Sequence, residues 1–148
     1  MSYQEKKTIV SLFSAILVFG IYCWFVYLRY SEMSLEGGEL LRFWGAVMLI
    51  LVPVTMVARM ILEIIFIIIN RLSTKELPPR FADELDKIIE WKATRIAFFV
   101  FILGFLIAMG SLVLHATLTS MFVILLASGF VSEVAGILWR LYLFRKGV

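Results

Sequence analysis

Four apolar runs, each long enough to cross a bilayer as a helix, take up most of this 148-residue chain. Crossing about 30 Å of hydrocarbon takes roughly 20 apolar residues in a helix. The runs lie at residues 9–27, 44–69, 95–115 and 118–141. Because lipid offers no hydrogen bonds, a spanning segment must satisfy its own backbone, as a helix does. The sequence therefore predicts an all-α, polytopic membrane protein with four transmembrane helices arranged as two antiparallel hairpins.

The overall composition agrees with a bilayer environment. Hydrophobic residues make up 62% of the chain and the mean hydropathy is +0.99, whereas about half of the residues are apolar in soluble domains. The basic residues flank the apolar runs instead of forming a patch, so we expect no nucleic-acid partner. The first run ends in Trp24, Tyr27 and Arg29, not in small residues, and is therefore interpreted as a retained span and not as a signal peptide.

The distribution of Lys and Arg predicts the orientation of the chain. Cytoplasmic loops carry an excess of positive charge. With the N-terminus inside, eleven of the 14 basic residues fall on the inner side, against Arg29 and Arg42 outside and Arg59 within a span. We therefore expect a multi-pass protein of the plasma membrane with both termini in the cytoplasm and with short outer loops.

The connection between the second and third runs predicts a further, amphipathic helix over residues 80–94. After Pro79, the apolar residues Phe81, Leu85 and Ile88 recur at helical spacing. Such a helix is typical of a segment that lies along the inner membrane surface, with Trp91 at the headgroups. Its charged residues would form a docking face for a cytoplasmic or membrane protein partner; these are Asp83, Glu84, Asp86, Lys87 and Glu90. The alternative is a purely structural element that fixes where the third span begins.

The same region carries a resemblance to known sequences. The run 83–96, the later Gly104, Met109 and Leu112, and the ending 141–148 resemble a group of small, uncharacterised bacterial integral membrane proteins, known only as a domain of unknown function. The resemblance covers mainly residues 83–148. It implies a four-helix protein of the bacterial inner membrane, sometimes encoded near transcriptional regulators, and it implies no activity.

Ionisable residues inside the spans are the strongest candidates for a site. A charge near the bilayer centre costs at least about 2.5–3.5 kcal/mol, so it calls for a partner or for water. Arg59 and Glu63 are one turn apart in the second run, and Glu133 lies in the fourth. Arg59 and Glu133 lie about three and four residues past the middle of their runs, roughly 4–5 Å towards the inside. The equal depth predicts an Arg59–Glu133 ion pair, with Glu63 and Arg140 nearer the cytosol.

Two interpretations of these charges follow from the sequence. They could be architectural and hold the two hairpins in register. Alternatively Glu133, flanked by Gly129 and Gly136, which would leave space beside it, could bind a proton or a cationic ligand. Small multidrug antiporters are also four-helix proteins with a buried Glu, but theirs lies in the first span. The core of this first span has no ionisable residue, which argues against drug–proton exchange.

Other kinds of chemistry find no support in the sequence. There is no Gly-rich phosphate loop or Ser-His-Asp set. His115 is the single histidine and Cys23 the single cysteine, so we expect no metal site, no cofactor and no enzymatic activity. His115, at the outer end of the third run, is interpreted as a capping or interfacial residue.

Two functions therefore remain as predictions. The first is a non-enzymatic partner or regulatory membrane protein that presents residues 73–94 to the cytoplasm. The alternative is a small proton- or cation-linked transporter, or a ligand-binding membrane protein, centred on Arg59, Glu63 and Glu133. Besides the lipid bilayer, a second copy of the chain is left open as a partner. A pocket that reaches Glu133 would favour the alternative, and a dry, fully paired cluster would favour the first function.

Overall fold

The computed structural model describes residues 3–34, 36–74 and 84–147, and the described part is all-α. Its four helices are α1 (Tyr3–Glu32), α2 (Gly38–Thr74), α3 (Glu84–Val113) and α4 (Leu118–Lys146). At 1.5 Å per residue they are about 44 to 56 Å long, which exceeds the hydrocarbon thickness. All four are long and apolar enough to cross a membrane. The predicted all-α protein with four candidate spans is confirmed at this level.

α1 and α2 extend beyond the predicted spans at both ends, α3 extends at its start and α4 at its end. In each case polar residues continue the helix past the apolar run. The third span was predicted to reach residue 115, but α3 ends at Val113. Residues 84–94 form the first turns of α3 without a break. The start of the predicted amphipathic helix, with Phe81 and Asp83, lies outside the described residues.

A tight turn joins α3 to α4. The backbone N–H of Ala116 donates to the carbonyl of Ser111, and that of His115 donates to the carbonyl of Leu112. His115 has a φ of 62°, the left-handed conformation in which a helix commonly ends. Thr117 then caps α4, since its hydroxyl accepts from the backbone N–H of Ser120 at 3.2 Å. His115 therefore occupies a helix-terminating position, as the sequence suggested.

Small residues bring α3 and α4 into close contact. Ala93 and Ala108 of α3 are fully buried. A Cβ added at Gly104 would clash with the side chain of Ser128, and one added at Gly136 would lie 3.1 Å from the Cβ of Ala97. Small residues are what allow helices to approach closely within a membrane. This contact is the most extensive in the bundle and makes α3 and α4 its best-packed pair.

The other helices are arranged around α4. α1 packs on α4, with Phe19 stacked on Phe130 at 4.2 Å between ring centroids. α2 packs mainly on α1 and touches α4 over a short stretch, where Trp44 stacks on Phe122. Most of the surface of α2 faces away from the bundle, with Leu49 77% exposed. An apolar surface of this kind suits contact with lipid.

The first residues of α1 and the last residues of α4 lie at one end of the bundle, here called the terminal end. Gln4 of α1 contacts Asp86 in the first turn of α3, and Tyr3 lies against Phe66 of α2. The opposite end carries the α1–α2 and α3–α4 connections and is called the loop end. The polar contacts between helices are concentrated in the half of the bundle nearer the terminal end.

Candidate ligand-binding cavity

The ion pair predicted from equal depth is present. The guanidinium of Arg59 on α2 contacts the carboxylate of Glu133 on α4. The side chain of Arg59 is 48% exposed and that of Glu133 is 27% exposed, so the pair lies at the edge of the bundle. It joins the two helices that otherwise touch over a short stretch.

The other two predicted charges each have a partner that the sequence did not suggest. The Nζ of Lys7 on α1 lies 2.6 Å from the carboxylate of Glu63. Arg140 of α4 lies 3.8 Å from the carboxylate of Glu90 on α3. Three ion pairs thus connect α1 with α2, α2 with α4, and α3 with α4 in the same half of the bundle.

These charges surround a cavity of about 410 Å³, which all four helices line. The volume falls within the usual range for small-molecule sites. Its lining is mainly polar and consists of Gln4, Lys7, Thr8, Val10, Ser11, Ser14, Arg59, Leu62, Glu63, Phe66, Asp86, Glu90, Arg140 and Phe144. Of the four predicted site residues, Arg59, Glu63 and Arg140 line the cavity. Glu133 does not line it but pairs with Arg59, which does.

The wall contributed by α1 was not predicted. Lys7, Ser11 and Ser14 recur at spacings of four and three residues, which places them on one helix face. Thr8 and Ser14 are buried and donate their hydroxyls to the backbone of the preceding turn, to Gln4 and Val10 respectively. The signal available in the sequence was this periodic run of polar residues. This polar face was not predicted, because the first span was predicted to begin at residue 9, between Lys7 and Ser11.

The charges of the lining are balanced but follow an order along the bundle. Three cationic and three acidic side chains line the cavity. Arg59 is the innermost of them, fifteen residues or about 22 Å along α2 from Trp44 near the loop end. Asp86, in the first turn of α3, is the outermost and accepts from the Nε2 of Gln4 at 3.3 Å. The cavity therefore has a cation at its inner end and an acidic group at its outer end, with the Lys7–Glu63 and Arg140–Glu90 pairs between them.

Arg140 has hydrogen-bonding capacity that the described residues do not satisfy. Its Nε is buried, and no acceptor in the described part of the chain bonds it. A guanidinium carries five N–H donors in a planar fork that suits carboxylate and phosphate oxygens. The buried Nε is shielded from the cavity as well, so contact with an anionic ligand atom falls to the terminal N–H groups of the partly exposed Arg140 side chain.

The two glycines predicted to leave space beside Glu133 behave differently. Around Gly129, no atom lies within 4 Å of an added Cβ. Gly136 instead packs against Ala97 and the backbone of Ala93, so its side of α4 is occupied by α3. The expectation of free space at Gly136 is therefore wrong, because that position serves close helix packing.

The five residues predicted to form a docking face are divided in the structure. Asp86 and Glu90 line the cavity, while Glu84 and Lys87 are exposed on the outer side of α3. Asp83 lies outside the described residues. The buried face of this segment contains Ile89, which is 0% exposed, whereas the predicted apolar face includes Ile88, which is 50% exposed. Within the described ranges, no group of three or more His, Cys, Asp or Glu side chains could hold a metal ion.

Comparisons with known proteins add no relative to this picture. No protein-family model, curated protein or solved structure matches the chain. The resemblance of residues 83–148 to small bacterial membrane proteins remains a prediction, and the function must be argued from the cavity.

Proposed function

We propose that this chain is a non-enzymatic membrane protein that binds a small charged ligand in the cavity between its four helices. The observation that carries the proposal is a polar cavity that reaches from the terminal end to Arg59, about 22 Å from the aromatic residues near the loop end. Charged side chains in a span mark ligand or ion sites when they face a cavity. Glu133 does not itself line the cavity, and its ion pair with Arg59 also suits an architectural role, so the polar cavity at Arg59 is the feature that favours ligand binding.

The proposal places the terminal end in the cytoplasm of a bacterium and the bundle in its inner membrane. The excess of Lys and Arg in the segments at that end supports this orientation. The contacts of α1 with α2 and of α3 with α4 support two antiparallel hairpins. In this orientation the cavity opens to the cytosol and to the inner leaflet.

The polar path stops at the Arg59–Glu133 pair. Beyond it, towards the loop end, α4 meets its neighbours through aromatic rings, with Phe130 on Phe19 and Phe122 on Trp44. Access from one side supports a binding site in preference to a continuous channel. A transport cycle would require these aromatic contacts to open.

A second candidate is the partner or regulatory function, for which the outer side of α3 is the supporting observation. Glu84 and Lys87 are exposed there, and Trp91 is 83% exposed. An amphipathic helix over residues 80–94 along the inner surface would place Trp91 at the headgroups. A soluble partner, a membrane partner or a second copy could use this face, and ligand binding at Asp86 and Glu90 on its inner side could regulate such contact.

Native mass spectrometry of the purified protein tests the ligand-binding proposal. The wild type should carry a bound molecule that dissociates at higher collision energy. Lys7→Gln removes a cation of the cavity lining and should lower its occupancy, whereas Lys6→Gln, the same change at the adjacent residue outside the lining, should preserve it. Equal occupancy in both variants, or no bound molecule in any sample, would refute the proposal.

A further inference from the structure

A second, apolar cavity adjoins the polar one. It measures about 360 Å³ and is lined by Val10, Phe13, Ser14, Ile16, Leu17 and Leu62. Val10, Ser14 and Leu62 line both cavities, so the two spaces are direct neighbours. A ligand could therefore occupy the polar cavity and the apolar groove at once.

The groove lies on the outer surface of α1 and α2. Phe13 is 67% exposed and Leu17 is 58% exposed, and both lie farther from the terminal end than Lys7. In a bilayer these side chains face hydrocarbon, while Lys7 and Asp86 lie nearer the membrane surface. The site thus changes from polar to apolar in the direction in which a lipid changes from headgroup to acyl chain.

The charge order of the polar cavity indicates the headgroup. Arg59, Lys7 and Arg140 line the cavity and offer donors to an anion. Asp86, in the first turn of α3, is the outermost acidic group of the lining, whereas Glu63 and Glu90 lie at the level of Lys7 and Arg140, with which they pair. A phosphate next to the acyl chains and an ammonium farther out would match this order.

We propose that the ligand is a zwitterionic glycerophospholipid of the leaflet at the terminal end. Its phosphate contacts Arg59, Lys7 and Arg140, its primary ammonium contacts Asp86 and Glu90, and one acyl chain lies in the groove beside Leu17. The inference rests on the proposed ligand-binding function and names the chemistry of that ligand. It also implies lateral access from the bilayer between α1 and α2.

Binding of defined probes to the protein in maltoside micelles tests this inference. The probes are dioctanoyl phosphatidylethanolamine, dioctanoyl phosphatidylglycerol and soluble glycerophosphoethanolamine, each measured by native mass spectrometry. Charge-assisted hydrogen bonds and the buried chain should make the first probe bind at least about tenfold more tightly than either of the others. The second probe lacks the ammonium and the third lacks the chains.

Two pairs of variants link this binding to the cavity. Leu17→Trp fills the groove and should weaken binding of the first probe about tenfold, whereas Ile21→Trp, one turn away at a comparably exposed position outside the groove, should leave it unchanged. Lys7→Gln should also weaken binding, and Lys6→Gln should not. Equal effects of the two tryptophan variants would overturn the role of the groove.

The remaining outcomes separate this inference from the proposed function. Equal affinity for glycerophosphoethanolamine would exclude a lipid while preserving a charged-ligand site. Equal affinity for phosphatidylglycerol would exclude recognition of the ammonium. If no probe binds but the purified protein carries another molecule sensitive to Lys7→Gln, the lipid inference is wrong and the binding function stands. No bound molecule of any kind would overturn both.

Discussion

Removing either member of the Arg59–Glu133 pair should affect stability unequally, and removing both should restore much of the loss. Arg59→Leu leaves the Glu133 carboxylate without its cation, on a helix face between α1 and α2. Glu133→Leu leaves the Arg59 guanidinium, which lines the polar cavity. The two stranded charges therefore differ in their access to polar groups.

The expected magnitudes follow from this difference. A lone charge near the bilayer centre costs about 2.5–3.5 kcal/mol, and the count along the predicted spans puts this pair only about 4–5 Å from the centre. Glu133 is 27% exposed and lies outside the lining, so Arg59→Leu should cost about 2–3 kcal/mol. Arg59 can turn towards the cavity and its acidic residues, so Glu133→Leu should cost about 1–2 kcal/mol. The double variant should lose less than Arg59→Leu alone.

Reversible unfolding in mixed micelles of mild detergent and dodecyl sulfate measures these three free energies. The matched reference is the Lys7–Glu63 pair, whose members are 40% and 48% exposed and should be coupled by at most about 1 kcal/mol. Penalties for Arg59 and Glu133 that add within about 0.5 kcal/mol would refute the coupling. A larger loss for Glu133→Leu than for Arg59→Leu would refute the assignment of the cavity to Arg59.

Three further predictions concern packing, the α3–α4 turn and orientation. Gly104→Ala should lower the free energy of unfolding by about 1–3 kcal/mol, because the new Cβ would meet Ser128. Gly110→Ala is the control, because open space surrounds that position, and it should raise the free energy of unfolding by up to about 1 kcal/mol. His115→Gly should keep or raise thermal stability, and His115→Val should lower it by about 1–2 kcal/mol, because the position requires a left-handed φ. Gly37→Cys in a cysteine-free background should react with an impermeant reagent only from outside the cell, and labelling from the cytosol alone would reverse the proposed orientation.

The four helices and the Arg59–Glu133 pair could be predicted from the sequence because each depends on one simple quantity. Helix number follows from the length of the apolar runs against the thickness of hydrocarbon. The pair follows from counting residues along two spans that run in the same direction. Neither argument needs knowledge of which helix faces pack together.

The packing faces could not be predicted from hydrophobicity. In lipid an apolar residue gains little by moving from the bilayer into the bundle, so burial is decided by size and close approach. Ile88 and Ile89 are alike in sequence, yet Ile89 is buried and Ile88 is half exposed. Ala93 and Gly136 set this geometry by allowing α3 and α4 to meet. In the orientation that α3 adopts against α4, Asp86 and Glu90 line the cavity. The sequence had placed these two residues on a cytoplasmic docking face instead.

The architectural and ligand-binding interpretations of the buried charges are compatible in this bundle. α2 has little apolar contact with α4, and among the described residues its ion pairs run to α1 through Lys7 and to α4 through Glu133. Arg59 and Lys7, which make these links, are also two of the three cations that line the cavity. An anionic group bound there must share or displace Glu63 and Glu133 as partners. These pairs add to the packing of α2 on α1, so a ligand that competes for them would loosen α2, most of all at its small contact with α4, while the well-packed α3–α4 contact contains neither pair.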